Sequence, residues 1–131
     1  MRILGVDPGL ASVGYGFIVY PEGGPDLVKW GEIKTSAAMP MAQRLHSIYT
    51  SLRSIIREFK PDVVSVEELF FAANMKTAIV VAQARGAALL ATAESGVEIA
   101  EYTPLQIKKA ISGQGKASKA QVQKMVATLL G

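Results

Sequence analysis

Cysteine is absent from the 131-residue chain, which excludes disulfides and thiolate metal sites. Histidine occurs once, as His46, too few for a histidine-rich zinc centre. No Asp or Glu follows Glu101, so the C-terminal part of the chain offers no carboxylate for chemistry. Long apolar runs are also lacking. The longest, residues 78–93, is broken by Gln83 and Arg85, so it does not read as a membrane span. The opening MRILGVDPG reaches its turn too early for a secretory signal peptide. The cytosol is therefore the simplest address, with no membrane partner.

Half of the residues are apolar, enough for one packed domain and too few for two ordinary ones. With no low-complexity run, disorder is not expected. The net charge of +3 says little, but its distribution says more. Lys108, Lys109, Lys116, Lys119 and Lys124 all lie after Pro104, in the stretch without acids. A basic C-terminal segment is an electrostatic footprint for a polyanion. Charge alone does not separate this from a solvated, lysine-rich surface.

The pattern along the chain predicts an α/β domain. Residues 2–6 form a short apolar strand ending at Asp7, followed by a turn at Pro8-Gly9. Residues 13–20 and 27–35 are further strands. Residues 21–26, with Gly23-Gly24 inside, connect them, so the first three strands form an antiparallel meander. Met41, Leu45, Ile48, Leu52, Ile55, Ile56 and Phe59 recur at steps of three and four, one face of an amphipathic helix over residues 41–60 that Pro61 stops. His46 beside that stripe reads as an ordinary helix residue. Residues 62–66 are nearly continuously apolar, as expected of a strand covered on both faces. Residues 75–94 are an alanine-rich helix, and Gly86 within it suggests close packing against another element. Residues 97–102 are a fifth strand. Thr103 caps a helix that has Pro104 at its first position and ends near Ser112-Gly113. Ser118 can cap a last helix running to Leu130. Three hairpin-linked strands followed by alternating helices and strands indicate a mixed sheet.

Asp7 and Glu67 each stand where an apolar strand ends, the edge at which open α/β sheets bind ligands. If the first and fourth strands are neighbours, the two carboxylates converge. Hard oxygen ligands of this kind suit Mg²⁺ or Mn²⁺, and a pair of such ions can activate water against a phosphodiester. The plainer alternative is that each acid simply ends its strand in solvent. Glu68 rivals Glu67, because strand alternation sends adjacent residues to opposite sides and spacing does not choose between them. Phe70-Phe71 follow directly. Either both are core residues, or one is exposed and stacks on a base. A strand followed by Asp-Pro-Gly also resembles the first phosphate loop of actin-like ATPases, but those proteins need a second homologous domain, for which this chain has no room.

Taken together, GVDPG at 5–9, GYG at 14–16, VEELFF at 66–71, Asn74, QARG at 83–86 and GQGKASKAQVQ at 113–123 resemble the RuvC-type Holliday-junction resolvases. No single motif is decisive, but six in the right order are specific, and the resemblance spans the whole chain. It implies a ribonuclease-H-like α/β fold, a five-stranded mixed sheet flanked by helices. It implies a homodimeric endonuclease that cuts four-way DNA junctions symmetrically in recombination and repair, the two-fold axis of the protein matching that of the junction. Asp7 and Glu67 would be metal ligands and catalytic residues, Glu67 being preferred over Glu68 by its place in the motif. The ions would be Mg²⁺, with Mn²⁺ as a second candidate, two per site in the complete protein. Phe70 would stack at the junction centre. Lys108 and Lys119 would lie near the scissile strand, Lys119 as a catalytic residue, with Lys109 and Lys116 on phosphates. The helix at 75–94 would pack across the dimer, which would give Gly86 a reason to be small. A branch-migration motor would be a further partner.

One departure is serious. The family pattern carries a second acidic pair after GQGKASKAQVQ, and no acid follows Glu101 here. The expectation is a single domain over 1–131 with a truncated C-terminal end. Such a chain would bind junction DNA and cut it poorly. A junction-binding module without cleavage is the alternative, and the acids at 7 and 67, which a pure binder does not need, separate the two.

Overall fold

The computed structural model describes residues 1–68, 74–113, 115 and 117–130. The elements are β1 (Arg2–Asp7), β2 (Ser12–Val19), β3 (Asp26–Lys34), α1 (Met41–Phe59), β4 (Val63–Glu67), α2 (Met75–Glu94), β5 (Glu98–Tyr102), α3 (Pro104–Ser112) and α4 (Lys119–Leu130). The expected order of elements is met, with boundaries displaced by a residue or two, and β1 and β4 each run on to include the acid at their end.

The strands form one sheet in the order β3-β2-β1-β4-β5. β1, β2 and β3 pair antiparallel, as the meander requires. The link between β2 and β3 uses Gly23 and Gly24 at φ of +113° and +123°, a region that only glycine occupies without strain. β1 pairs parallel with β4, and β4 parallel with β5. Each parallel step needs a crossover, which α1 and α2 supply.

Side-chain alternation places the core. Leu4 and Val6 of β1, Val13 and Phe17 of β2, Ile33 of β3, and Val64 and Val66 of β4 are buried against Ile48, Leu52 and Ile56 of α1 and Ala84, Ala88 and Ala91 of α2. Fully burying side chains of this size stabilises by roughly 1.5–3 kcal/mol each. Phe17 stacks on Phe59 with ring centroids 4.7 Å apart. The expected α1 stripe holds, although Met41 at its start is exposed. His46 is exposed on α1, as an ordinary helix residue would be.

Two expectations require correction. β4 is not evenly covered. Val64 and Val66 are buried, whereas Val63 and Ser65 on the opposite face are half-buried, because that face borders an open cleft. Among the described residues, Gly86 does not pack closely against another element. It is exposed, and a Cβ placed on it would meet nothing within 4 Å.

Helix ends follow the sequence closely. Thr103 and Gln106 form a reciprocal capping box at the start of α3, and Gly113 ends that helix in the left-handed conformation. Ser118 and Gln121 exchange the same pair of bonds at α4, 3.2 and 2.7 Å long. Asn74 accepts from the Lys76 and Thr77 amides and caps α2. Among the described residues no helix is long and apolar enough to cross a membrane.

Candidate active site

Val6 of β1 and Val66 of β4 are register partners in the parallel pair, and the next residue on each strand is an acid, Asp7 and Glu67. Leu4 and Val6 face the helices, so Gly5 and Asp7 face the other way. The same parity sends Ser65 and Glu67 away from Val64 and Val66. Both carboxylates therefore stand on the sheet face opposite the core, at the C-terminal strand ends. Asp7 is exposed and Glu67 half-buried. The Glu67 carboxyl titrates above its ordinary range, first because burial disfavours its charge and second because Asp7 repels it, while Lys108 opposes both. The two acids are thus close enough to act on one another.

Glu68 behaves differently. It lies just beyond β4, exposed, and its amide donates to the Tyr102 carbonyl at 2.7 Å, continuing the ladder to β5.

Beside the acids lies an open cleft of about 620 Å³. Its floor is Gly5, Gly14, Gly16 and Ser65, and its walls include Ile107 of α3 and Val126 of α4. Gly5 and Gly16 are partners across β1 and β2, so two bare backbones meet at the floor. With no side chain there larger than a serine, an extended polymer can come close to the sheet and reach the carboxylates.

A second group braces the site from behind. Arg85 of α2 donates from Nε to the Glu67 carbonyl at 3.3 Å, and its guanidinium is paired with Glu101 on β5. Arg85 appears in the sequence only as a charge interrupting an apolar helix and as part of QARG. A cation interrupting an alanine-rich stretch was the available signal.

Of the lysines expected on DNA, Lys108 lies on α3 within electrostatic reach of Glu67. Lys109 is exposed in the last turn of α3, and Lys119 is exposed in the first turn of α4. Among the described residues, the charges of Asp7 and Lys108 act on Glu67. Phe70 and Lys116 lie outside the described residues.

The donor set suits a hard divalent cation. Two carboxylate groups that repel one another gain from a positive charge between them, and Mg²⁺ is commonly held by one or two carboxylates, with water and substrate phosphate completing its shell. Among the described residues, no group of three or more His, Cys, Asp or Glu is placed to hold an ion, so Asp7 and Glu67 form the candidate set.

The family model described as Crossover junction endodeoxyribonuclease RuvC matches residues 3–131. A curated protein of that description from Caldicellulosiruptor saccharolyticus is 48% identical over 132 residues, covering 100% of this chain and 80% of its own length. One from Alkaliphilus metalliredigens is 51% identical over 130 residues, covering 99% of this chain and 79% of its own. Among solved structures, Thermus thermophilus RuvC in complex with a Holliday junction substrate superposes with a TM-score of 0.92 at 36% identity, over 100% of this chain and 80% of that one.

Proposed function

The chain belongs to the RuvC family of crossover junction endodeoxyribonucleases, and from that premise we propose that it is a metal-dependent endonuclease acting on four-way DNA junctions. The observation that carries the reading is the pairing of Asp7 and Glu67 at adjacent parallel strand ends, on the open face of the sheet, close enough for the charge of one to shift the other. The solved relative bound to a Holliday junction substrate, with its backbone superposing over the whole chain, supports the substrate class.

Asp7 and Glu67 would hold divalent cations, Mg²⁺ first and Mn²⁺ second, two in a complete site. A bound cation there would activate the attacking water and stabilise the leaving oxygen. The chain's own groups do the rest. The glycine floor admits the strand. Lys108, beside Glu67, draws a phosphate toward the acids and offsets their mutual repulsion. Lys109 and Lys119, exposed on α3 and α4, extend the basic surface, with Lys119 nearest the chemistry in the family pattern. These contacts position the backbone and carry no sequence information. Phe70 and Lys116 complete the set by resemblance.

The chain would act as a homodimer, since two opposed cuts need two sites. Helix α2 supports this. It is apolar nearly all round, and Ile79 and Leu90 remain 56% and 60% exposed on the same side as Gly86. Apolar residues rising from a helix that also carries a bare glycine suit close approach of a second helix. A branch-migration motor is the further protein partner and the cytosol the place of action.

The test is a nicking assay on a synthetic four-way junction and on linear duplex, with and without Mg²⁺, for the wild-type chain and Asp7→Asn. Junction-selective, Mg²⁺-dependent cuts that disappear in Asp7→Asn are expected. Binding that does not distinguish junction from duplex would overturn the reading.

A further inference from the structure

We propose that Arg85 is a positioning residue for Glu67, fixing the end of β4 so that the carboxylate meets a divalent cation in one orientation. The inference rests on the metal reading of Asp7 and Glu67 and deepens it.

Arg85 projects from the middle of α2, with its side chain only 17% exposed. Its Nε donates to the main-chain carbonyl of Glu67 at 3.3 Å, and its guanidinium pairs with the Glu101 carboxylate. Glu101 is the register partner of Val66, the residue before Glu67. One side chain therefore ties together the last residue of β4, the adjacent position of β5 and the helix behind them. Beyond Glu67 the ladder to β5 continues through the bond from the Glu68 amide to the Tyr102 carbonyl, and Arg85 adds a donor on the Glu67 carbonyl itself, which further limits how this backbone, and hence the side chain, can turn. The planar guanidinium reaches two diverging acceptors at once. A lysine ammonium on a flexible stem could satisfy the charge of Glu101 but would not hold both acceptors in a fixed geometry. Groups behind metal ligands that orient them typically change metal affinity by roughly tenfold to a hundredfold when removed.

Arg85 also stands next in sequence to Gly86, which faces solvent on the same turn of α2. The turn that offers its outer side to a second helix thus holds the metal-binding strand end with its inner side.

The experiment is a Mn²⁺ titration of the 131-residue chain without DNA, read by electron paramagnetic resonance, for wild type, Asp7→Asn, Arg85→Gln, Arg85→Lys and Glu101→Gln. Metal-free junction affinity and thermal midpoint are measured alongside. Wild type should bind Mn²⁺ and Asp7→Asn should lose it. Arg85→Gln should weaken Mn²⁺ binding by about tenfold or more, with metal-free junction affinity unchanged, and Arg85→Lys should recover only part of the loss. Glu101→Gln loosens one anchor and should give an intermediate loss. If Arg85→Gln fails to fold, Glu101→Gln decides the matter by the same criterion. A lowered thermal midpoint with Mn²⁺ affinity within about twofold of wild type would leave Arg85 as a structural residue only and would overturn the proposal. Full recovery by Arg85→Lys would overturn it as well, since charge alone would then suffice. Mn²⁺ binding that is absent in wild type, or unaffected by Asp7→Asn, would defeat the metal reading itself and the proposal with it.

Discussion

Asp7 and Glu67 follow directly on the paired residues Val6 and Val66 of two adjacent parallel strands, and the charge of Asp7 helps push the Glu67 carboxyl above its ordinary pKa. A carboxyl whose pKa is raised on folding is favourable to the fold when protonated and costs stability once ionised. The cost is absent below the unfolded-state pKa and grows as pH rises through the folded one. At neutral pH the ionised Glu67 therefore opposes folding. Glu67→Gln should raise the thermal midpoint at pH 7, and the gain should fade below the ordinary glutamate range. Mg²⁺ should raise the midpoint of wild type and not of the variant, because a ligand that binds only the folded state stabilises it. Thermal melts across pH, with and without Mg²⁺, check both statements, and a midpoint lowered by Glu67→Gln at pH 7 would show that the carboxylate is held by favourable contacts instead.

The turn after Asp7 depends on Gly9. A Cβ on Gly9 would lie 2.6 Å from the Ser12 carbonyl oxygen, a backbone atom that cannot rotate aside. Gly9→Ala must therefore shift the connection between β1 and β2, at a cost of about 1–3 kcal/mol. The displaced turn begins one residue after Asp7, so the variant should also weaken Mg²⁺-dependent stabilisation beyond what its lowered melting midpoint explains. Gly16→Ala, where a Cβ meets nothing within 4 Å, is the matched control and should melt near wild type.

How far such a site can be read from sequence depends on the range of the interactions that make it. The apolar runs that become β1 and β4, the stripe of α1 and the capping at Thr103 are local, and they are legible in the chain. The convergence of Asp7 and Glu67 is legible only on condition that β1 and β4 are neighbours, which no local pattern states. Choosing Glu67 over Glu68 needed the motif or the sheet parity. Val63 and Ser65 looked fully covered because a run of apolar residues does not say which face meets helices and which meets a cleft. Gly86 suggested close packing in the chain, but the space beside it is open, since a glycine marks permitted approach without naming what approaches. Arg85 was invisible as a functional residue because its partners, a backbone carbonyl and Glu101, are 18 and 16 residues away and meet it only in three dimensions.

The lysines should separate by their distance from the carboxylates. Lys108 acts on Glu67, so a phosphate neutralised by Lys108 would lie beside the acids. Lys108→Ala should lower junction affinity and reduce the slope of log affinity against log salt by about one, the signature of a single lost phosphate contact. Lys109→Ala and Lys119→Ala should do the same if each holds a phosphate. Lys60, at the left-handed end of α1 and next to the N-terminal end of β4, is at the opposite pole and should leave the slope unchanged. Fluorescence anisotropy on a four-way junction between 50 and 200 mM salt, about the range over which such slopes resolve, measures all four. Equal slopes for Lys108→Ala and wild type would remove Lys108 from the DNA surface.

The apolar side of α2 carries the prediction about assembly. Ile79 and Leu90 are more than half exposed, and Gly86 lies between them on the same side. Among the described residues nothing covers that side, and an exposed row of large aliphatic residues on a helix is stable in water only at a cost that a second copy would remove. Leu90→Glu puts a charge where two helices would meet, and burying an unpaired charge costs several kcal/mol. At about 1.4 kcal/mol per tenfold, the dimer dissociation constant should rise by at least about a hundredfold. Sedimentation equilibrium should show a dimer for wild type and a monomer for Leu90→Glu. The thermal midpoint of the variant should become independent of protein concentration, whereas that of wild type should rise with it. On a four-way junction the two nicks should lose their pairing in Leu90→Glu, because each monomer then finds its strand alone. A wild-type chain that sediments as a monomer at all concentrations would reject α2 as the dimer helix. Unchanged dimerisation in Leu90→Glu would place the dimer contact elsewhere on the surface.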